Sequence, residues 1–322
     1  MEAEPLLSVR DLTIAFRLRH GVLTAVNRIG FDLSESERLG IVGESGAGKS
    51  VTGFGILNMV GKPGYIAGGS IRFQGRELTA LSEEEMRRVR GDRISMIFQD
   101  PMMTLNPVLT IGVQMIETLR AHRKISRKDA ADIAMDRIRK VAIPAPEKRL
   151  RQYPHEFSGG MRQRIVIAIA LLTSPALIVA DEPTTALDVT IQADIMALLL
   201  DLCRSDKMGL ILITHDLAVV SQVAQRIAVM YAGAIMEIGE TEQIVARPQH
   251  PYTRGLLAAL PQNVGRKGRL NQIPGSMPGL LGIPDGCPFH NRCALCEEIC
   301  RRKTPPLTPK AAGCLAACHR LD

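Results

Sequence analysis

The stretch Gly43-Glu44-Ser45-Gly46-Ala47-Gly48-Lys49-Ser50 decides the fold. An apolar strand pattern, Arg38 to Val42, runs into it. A helical pattern from about Lys49 to Val60 runs out of it and is stopped by Gly61 and Pro63. Strand, glycine-rich loop and helix in this order form the setting of a phosphate-binding loop. The glycines let the backbone curl until its N–H groups face phosphate oxygens, and the helix N-terminus adds partial positive charge. Lys49 can reach β- and γ-phosphates, and the Ser50 hydroxyl can ligate Mg²⁺.

Working outward, the run Leu177-Ile178-Val179-Ala180 ends in Asp181-Glu182. An apolar strand that delivers two carboxylates to its C-terminal end puts them where parallel sheets bind ligands. Alone the pattern is weak, because many buried strands end in an acid. About 130 residues after a phosphate-binding loop it reads as Asp181 holding Mg²⁺ and Glu182 polarising the attacking water. A third segment, Ser158-Gly159-Gly160-Met161-Arg162-Gln163-Arg164, places a hydroxyl and two glycines at a helix start. That is either a second anion site or an ordinary helix cap.

Between these motifs strands and helices alternate. Leu7 to Val9, Leu12 to Phe16, Ser70 to Phe73, Arg93 to Phe98 and Leu210 to Thr214 read as strands. Ser82 with Glu85 makes a capping box. Ile111 to Val141 has helical periodicity with Ser126 as a cap. Gly160 to Thr173 and Ile191 to Arg204 follow as helices. Arg226 to Tyr231 and Ala234 to Ile238 form a hairpin around Ala232-Gly233. Pro261 to Gly286 reads as a Gly/Pro-rich linker. The alternation points to an α/β fold with a mainly parallel sheet covered on both faces.

Composition narrows the partners. The 322 residues are 46% hydrophobic and 23% charged, so a sizeable core is expected. Aromatics make up 3%, with no Trp, which leaves little of the stacking surface that single-strand nucleic-acid binders use. The net charge of +7 suits phosphates or anionic lipid, and equally a solvated surface. The densest basic run, Arg120 to Lys140, alternates with apolar residues as a solvated helix face does. The most apolar stretch, Ile165 to Ala180, is interrupted by Thr173, Ser174 and Pro175, and a spanning helix needs ~20 apolar residues. The acidic N-terminus has no signal-peptide pattern. The expectation is a cytosolic chain whose membrane role comes through partners.

Seven cysteines are present. Cys203 stands alone in a helical pattern and reads as a core residue. The other six are Cys287, Cys293, Cys296, Cys300, Cys314 and Cys318, spaced C-x5-C-x2-C-x3-C-x13-C-x3-C. Clustering of this kind in a cytosolic chain suggests metal or cluster ligation. Zinc sets favour paired C-x2-C knuckles, and only Cys293 and Cys296 make one.

With these residues in order, the chain resembles the ABC ATPase family. Ser158-Gly159-Gly160 is similar to the family's signature motif, with Met161 where Gln is commoner. Gln99 in Phe98-Gln99-Asp100-Pro101 matches the Q-loop, Ala186-Leu187-Asp188 the D-loop, and His215 in Thr214-His215-Asp216 the switch histidine. Phe16 sits where the family places an aromatic against adenine. The motifs cover Phe16 to about Gly239. Gly43-Glu44-Ser45-Gly46, Gln99 to Pro107, Phe157 to Arg164, His250-Pro251-Tyr252-Thr253 and Gly286-Cys287-Pro288-Phe289-His290 resemble the oligopeptide/dipeptide importer branch, which also takes in nickel and glutathione importers.

The resemblance implies a RecA-like parallel-sheet core, an antiparallel β subdomain, a helical insertion at about 108–172 and a Cys-rich C-terminal extension. Residues 1–240 would be the nucleotide-binding domain and 241–322 the extension, with the cysteines at 287–318. It implies an ATP site of Phe16, Gly43, Glu44, Ser45, Gly46, Ala47, Gly48, Lys49, Ser50, Val51, Gln99, Ser158, Gly160 and Asp188. Catalysis would fall to Lys49, Gln99, Glu182 and His215, and Mg²⁺ to Ser50, Gln99 and Asp181. It implies a head-to-tail pair with a second, related ATPase, and ATP closing that pair. It implies two membrane permease subunits, an extracytoplasmic solute-binding protein and a place on the cytoplasmic face of the cell membrane, with no nucleic-acid partner. It also implies a four-iron–four-sulfur cluster on Cys287, Cys293, Cys300 and Cys318. Zinc or free thiols are the other readings of those cysteines. A soluble ABC ATPase acting on nucleic acid or the ribosome is the alternative function. It is disfavoured by the single ATPase domain and the lack of a heptad run. An exporter ATPase is disfavoured by the importer-type C-terminal segment. Intact Lys49, Asp181, Glu182 and His215 disfavour a non-enzymatic module.

Overall fold

The computed structural model describes residues 4–185, 187–260, 272–311 and 313–320. Ala186 of the D-loop motif and residues 261–271 of the expected linker lie outside them. The chain divides into two compact units, Met1–Ala80 with Leu212–Asp322, and Leu81–Ile211.

The first unit opens with β1 (Leu7–Leu18), β2 (Gly21–Leu33), β3 (Arg38–Val42), α1 (Lys49–Ile56), β4 (Gly64–Phe73) and β5 (Arg76–Glu77). The second unit carries α2 (Glu83–Val89), β6 (Ile94–Ile97), α3 (Pro101–Thr104), α4 (Ile111–His122) and α5 (Arg127–Lys140). It continues with α6 (Pro146–Arg149), α7 (Gly159–Ala170), β7 (Leu177–Asp181) and α8 (Val189–Ser205). The division falls inside β8 (Gly209–Thr214). After it come α9 (Leu217–Val223), β9 (Arg226–Tyr231), β10 (Ala234–Glu240), α10 (Thr241–Ala246) and α11 (Pro251–Ala258). The chain ends with α12 (Glu298–Arg302), β11 (Thr308–Ala311) and β12 (Cys314–Ala316).

In the first unit β2-β1-β4-β5 make an antiparallel sheet. Sequence reading splits β1 in two at Arg10-Asp11. The structure joins the halves through a bulge, with Asp11 at φ 47° and the register shifting on either side. The reading assigns no element to β2, whose Asn27, Arg28 and Gly30 hide the period-2 pattern. Its Ala25, Val26, Ile29, Phe31 and Leu33 are nevertheless buried. Helix α1 stops at Ile56, short of the expected Val60, because Asn58 turns left-handed at φ 49°. The N–H of Met59 then bonds the Phe54 carbonyl (2.7 Å) and that of Asn58 the Gly55 carbonyl (2.9 Å), a Schellman ending.

The unit's other sheet runs β11-β12-β10-β9-β3. Strand β3 lies parallel to β9, and β9–β10 is the expected hairpin. Strand β12 pairs with Glu237, Ile238 and Gly239 of β10, so the cysteine-bearing segment is stitched into this sheet. The anchor is Glu237, fully buried on β10. Its carboxylate accepts the N–H groups of Gln249 (2.7 Å) and His250 (2.9 Å), and Cys314 donates to it at 3.5 Å. Among the described residues, 272–286 carry no helix or strand.

In the second unit β6 pairs in parallel with β7, every residue of which is buried. The expected capping box at Ser82 and Glu85 is formed, and Ser126 caps α5. Helices α4 and α5 pack together, and α5 packs on α7. Cys203 is buried on α8 as read. No helix among the described residues is long and apolar enough to cross a membrane.

Candidate functional site

The loop between β3 and α1 has the conformation phosphate binding requires. Gly48, at φ 96°, is the N-cap of α1, and no side chain caps the helix. A Cβ on Gly48 would stand 2.4 Å from the Ala25 carbonyl oxygen, and one on Gly43 would stand 2.1 Å from that of Met230. Only glycine fits either place. The β9–β10 turn holds the loop from beneath, with the Gly233 N–H donating to the Ala47 carbonyl at 3.0 Å. Lys49 is buried, and its Nζ donates to the carbonyls of Gly43 and Glu44, both at 2.9 Å. Its charge is therefore folded into the loop beside the helix N-terminus, a ready anion site. Ser45 and Gly46 are exposed, and Ser50 and Val51 are half-buried at the helix start.

Phe16 is half-buried on β1, against Gly64. His215 is exposed in the turn after β8, where Asp216 caps α9 through the N–H groups of Ala218 (2.8 Å) and Val219 (3.2 Å).

The second unit gathers the other predicted residues. Asp181 closes β7 and is 4% exposed. Glu182 follows at φ 44°, a left-handed backbone that costs a non-glycine residue of order 1 kcal/mol. That turn aims its carboxylate, whose Oε2 accepts from Thr185 Oγ1 (2.8 Å) and Gln99 Nε2 (3.1 Å). The structure thus brings the Q-loop glutamine to the catalytic candidate. Ser158 caps α7 through the Met161 N–H at 3.4 Å and stays exposed. Gly160 lets α7 meet α8 closely, since a Cβ there would stand 2.8 Å from Ile191 Cγ2. Asp188 caps α8 through the Ile191 N–H at 3.0 Å.

Cys287, Cys293, Cys300 and Cys318 all line one small cavity, with His250, Phe289 and His290 also in its wall. Cys287 is pushed up to about 12 by burial, reinforced by Cys300, Cys318 and Cys293, against the opposing hydrogen bond from the Phe289 N–H. Cys314 faces Glu237 instead, and burial together with that carboxylate raises it to about 12. Cys296 donates to the Glu297 carbonyl at 3.6 Å. Among the described residues, no group of three or more His, Cys, Asp or Glu converges to hold a single metal ion.

Comparison with known proteins agrees with this geometry. The profile described as "ABC transporter" matches residues 26–185, and that described as "Oligopeptide/dipeptide transporter, C-terminal region" matches residues 236–300. The oligopeptide transport ATP-binding protein OppD of Escherichia coli is 47% identical over 319 residues, covering 99% of this chain and 94% of its own.

The chain belongs to the ABC transporter ATP-binding family.

It is an ATPase of that family. OppD of Haemophilus influenzae is 47% identical over 98% of this chain and 97% of its own. Among solved structures, the dimeric ATP-binding cassette MJ0796, in a post-hydrolysis state bound to ADP and Pi, covers 73% of this chain and 98% of its own. It has a TM-score of 0.64 and 26% identity. The fold is also shared with cbiO1 of Clostridium perfringens, at TM-score 0.65 over 76% of this chain and 92% of its own, with 22% identity.

Sequence reading gives no role to several residues around the family's loop. Tyr252 is fully buried, and its hydroxyl accepts the Glu44 N–H at 2.9 Å. His250 caps α11 by accepting the Tyr252 N–H at 3.0 Å. Burial pulls this histidine down to about 4, opposed by its backbone hydrogen bond at Ala317 and aided by the charge of Arg254, so the ring is neutral and able to accept. Arg292 and Glu237 also lack a role in that reading. The available signal was His250-Pro251-Tyr252-Thr253, a helix start with Pro at N1 whose cap points nowhere in sequence alone.

Proposed function

We propose that this chain is the ATP-hydrolysing subunit that energises peptide uptake by an ABC importer. The observation carrying this reading is an intact phosphate-binding loop and Glu182 joined, in one chain, to the C-terminal region described for oligopeptide/dipeptide transporters. The full-length likeness to OppD supports it over a soluble ATPase acting on nucleic acid or the ribosome. Residues 1–240, including the insertion at 108–172, serve nucleotide binding, and 241–322 form the importer-type extension.

In this reading the N–H groups of Gly43 to Val51 and the Lys49 ammonium take up the triphosphate, and Phe16 lies against the base. Ser50, Gln99 and Asp181 offer hydroxyl, amide and carboxylate oxygens, the hard donors Mg²⁺ takes, and the ion's chemistry there is charge neutralisation. Glu182 orients and polarises the attacking water, and His215 meets the γ-phosphate. Ser158, Gly160 and Asp188 serve the nucleotide on a second, related ATPase subunit, and that subunit's equivalents serve this one. The exposure of Ser158 supports such a use, since its helix-capping bond occupies only one face of the hydroxyl. ATP closes the pair and hydrolysis releases it. Two permease subunits and an extracytoplasmic solute-binding protein complete the importer, with this chain on the cytoplasmic face of the cell membrane.

The test is ATP turnover and peptide uptake in the reconstituted complex. Purified alone, the chain should turn over slowly, by a factor on the order of 10² below the complex, since each site lacks its trans-acting donors. Full-rate hydrolysis by a demonstrated monomer would contradict the shared site. Uptake that ignores peptides would refute the substrate class.

Cys287, Cys293, Cys300 and Cys318 fit a four-iron–four-sulfur cluster as the resident group of the extension. They line one cavity, and the shared lining supports a cluster in which each thiolate takes a different iron. Ligation would contribute folding free energy to a segment whose buried side chains are few. Anaerobic purification should yield brown protein that dithionite bleaches, and Cys287→Ser should remove the colour. Colourless anaerobic protein with stoichiometric zinc and no iron would replace the cluster by zinc.

A further inference from the structure

Arg292 precedes Cys293 in sequence, yet its side chain turns to the phosphate-binding loop. It is 6% exposed, and each of its nitrogens is engaged. Nη1 donates to both Glu44 carboxylate oxygens, at 3.0 and 2.9 Å, and to the Tyr231 hydroxyl at 3.3 Å. Nε donates to the Pro274 carbonyl at 2.8 Å and Nη2 to that of Ile273 at 3.3 Å. The guanidinium also lies 5.7 Å from the centre of the Tyr231 ring and 5.9 Å from that of Phe289. No lysine could serve a carboxylate, a hydroxyl, two carbonyls and two rings at once.

The partner gives this arginine its consequence. Glu44 is the second residue of the loop that receives a triphosphate, so its carboxylate is a fixed negative charge where negative charge must arrive. Unneutralised, it would oppose nucleotide binding. Its backbone is held as well, by the bond from its N–H to Tyr252. The stretch that Arg292 grips through Ile273 and Pro274 continues to Met277, whose Cε stands 3.1 Å from where a Cβ on Gly46 would be. One side chain of the cysteine-bearing segment therefore governs both the charge and the flank of the phosphate-binding loop.

We propose that Arg292 is a positioning residue for ATP binding. It cancels the charge of Glu44 and holds the Gly43–Gly46 limb of the loop, which puts nucleotide affinity under the control of the cysteine-bearing segment. The proposal rests on Gly43–Ser50 being the triphosphate site. It does not depend on which metal, if any, the cysteines take. Loosening that segment withdraws Arg292 and leaves Glu44 facing the phosphates.

The experiment is equilibrium ATP binding to the full chain at low and high salt, with thermal melts as the fold control. Arg292→Met should bind ATP roughly tenfold more weakly at low salt, and the deficit should shrink at high salt as the repulsion is screened. Arg292→Lys keeps the charge and should stay within about threefold of the parent while melting lower. Glu44→Gln added to Arg292→Met should restore most of the lost affinity, which a purely structural brace would not allow. Parental affinity in a folded Arg292→Met overturns the proposal, and so does a double variant as weak as the single one. Should Arg292→Met fail to fold, the double variant, which leaves no unpaired carboxylate, is compared with Arg292→Lys, and a double variant tenfold weaker than the lysine variant overturns the proposal. Lys49→Ala is measured alongside. If it binds normally, the triphosphate-site reading falls and takes the proposal with it. If it binds weakly while Arg292→Met binds normally, the Arg292 proposal alone is lost.

Discussion

Glu182→Gln is expected to lower ATP turnover by a factor on the order of 10² to 10³ while leaving ATP affinity within about twofold, because the proposed role of Glu182 makes it the group that polarises water and the amide changes little else. The geometry makes this substitution clean. Oε2 of Glu182 accepts from Thr185 and from Gln99, and a glutamine carbonyl oxygen can accept the same two bonds. The left-handed backbone at φ 44° that aims the side chain is kept, and so is the strain stored there. What is lost is the negative charge that, in the proposed reading, polarises water. The readouts are steady-state hydrolysis by the assembled complex, nucleotide binding, and the lifetime of an ATP-bound pair of ATPase subunits. The pair should persist, since ATP enters and is not consumed. Parental turnover in this variant would remove Glu182 from the reaction.

Lys49→Ala should act at the opposite step. Lys49 is buried in the loop with its Nζ bonded to the Gly43 and Glu44 carbonyls, so its ammonium already stands in the proposed phosphate site. A charge-assisted hydrogen bond is worth about 1.5–3 kcal/mol, and at roughly 1.4 kcal/mol per factor of ten its loss weakens ATP binding by one to two orders of magnitude. Hydrolysis at saturating ATP should fall as well, because in the proposed reading the same charge serves the developing negative charge of phosphoryl transfer. Titration of a nucleotide into the purified chain checks the first effect, and a thermal melt separates it from unfolding. Unchanged affinity would show that Gly43 to Ser50 is not the phosphate site.

Local chemistry was readable before the fold was. The loop from Gly43 to Ser50 and the acids at the end of β7 each carry their meaning within a few residues. The capping box at Ser82 and Glu85, the cap at Ser126 and the turn at Ala232-Gly233 do the same, because hydrogen bonding and φ preferences act over one or two turns. The same locality explains the errors at element ends. Asn58 entering the left-handed region ends α1 early, and no breaker stronger than asparagine announces it. Strand β2 escaped because its polar residues interrupt the alternation that its buried residues keep.

Sequence alone determined that this protein handles a nucleotide phosphate and belongs among the ABC ATPases, since its motifs are contiguous and their residue types have one shared use. Only the tertiary structure decided what the C-terminal segment does there. Strand β12 pairs with β10, Glu237 collects the N–H groups of Gln249 and His250, Tyr252 takes that of Glu44, and Arg292 takes the Glu44 carboxylate. Four cysteines separated by as much as a 17-residue gap come to one cavity while Cys314 turns away to Glu237. The physical reason is distance along the chain. The partners Glu44 and Arg292 are 248 residues apart, and nothing in either neighbourhood specifies the other until the sheet has brought their backbones together.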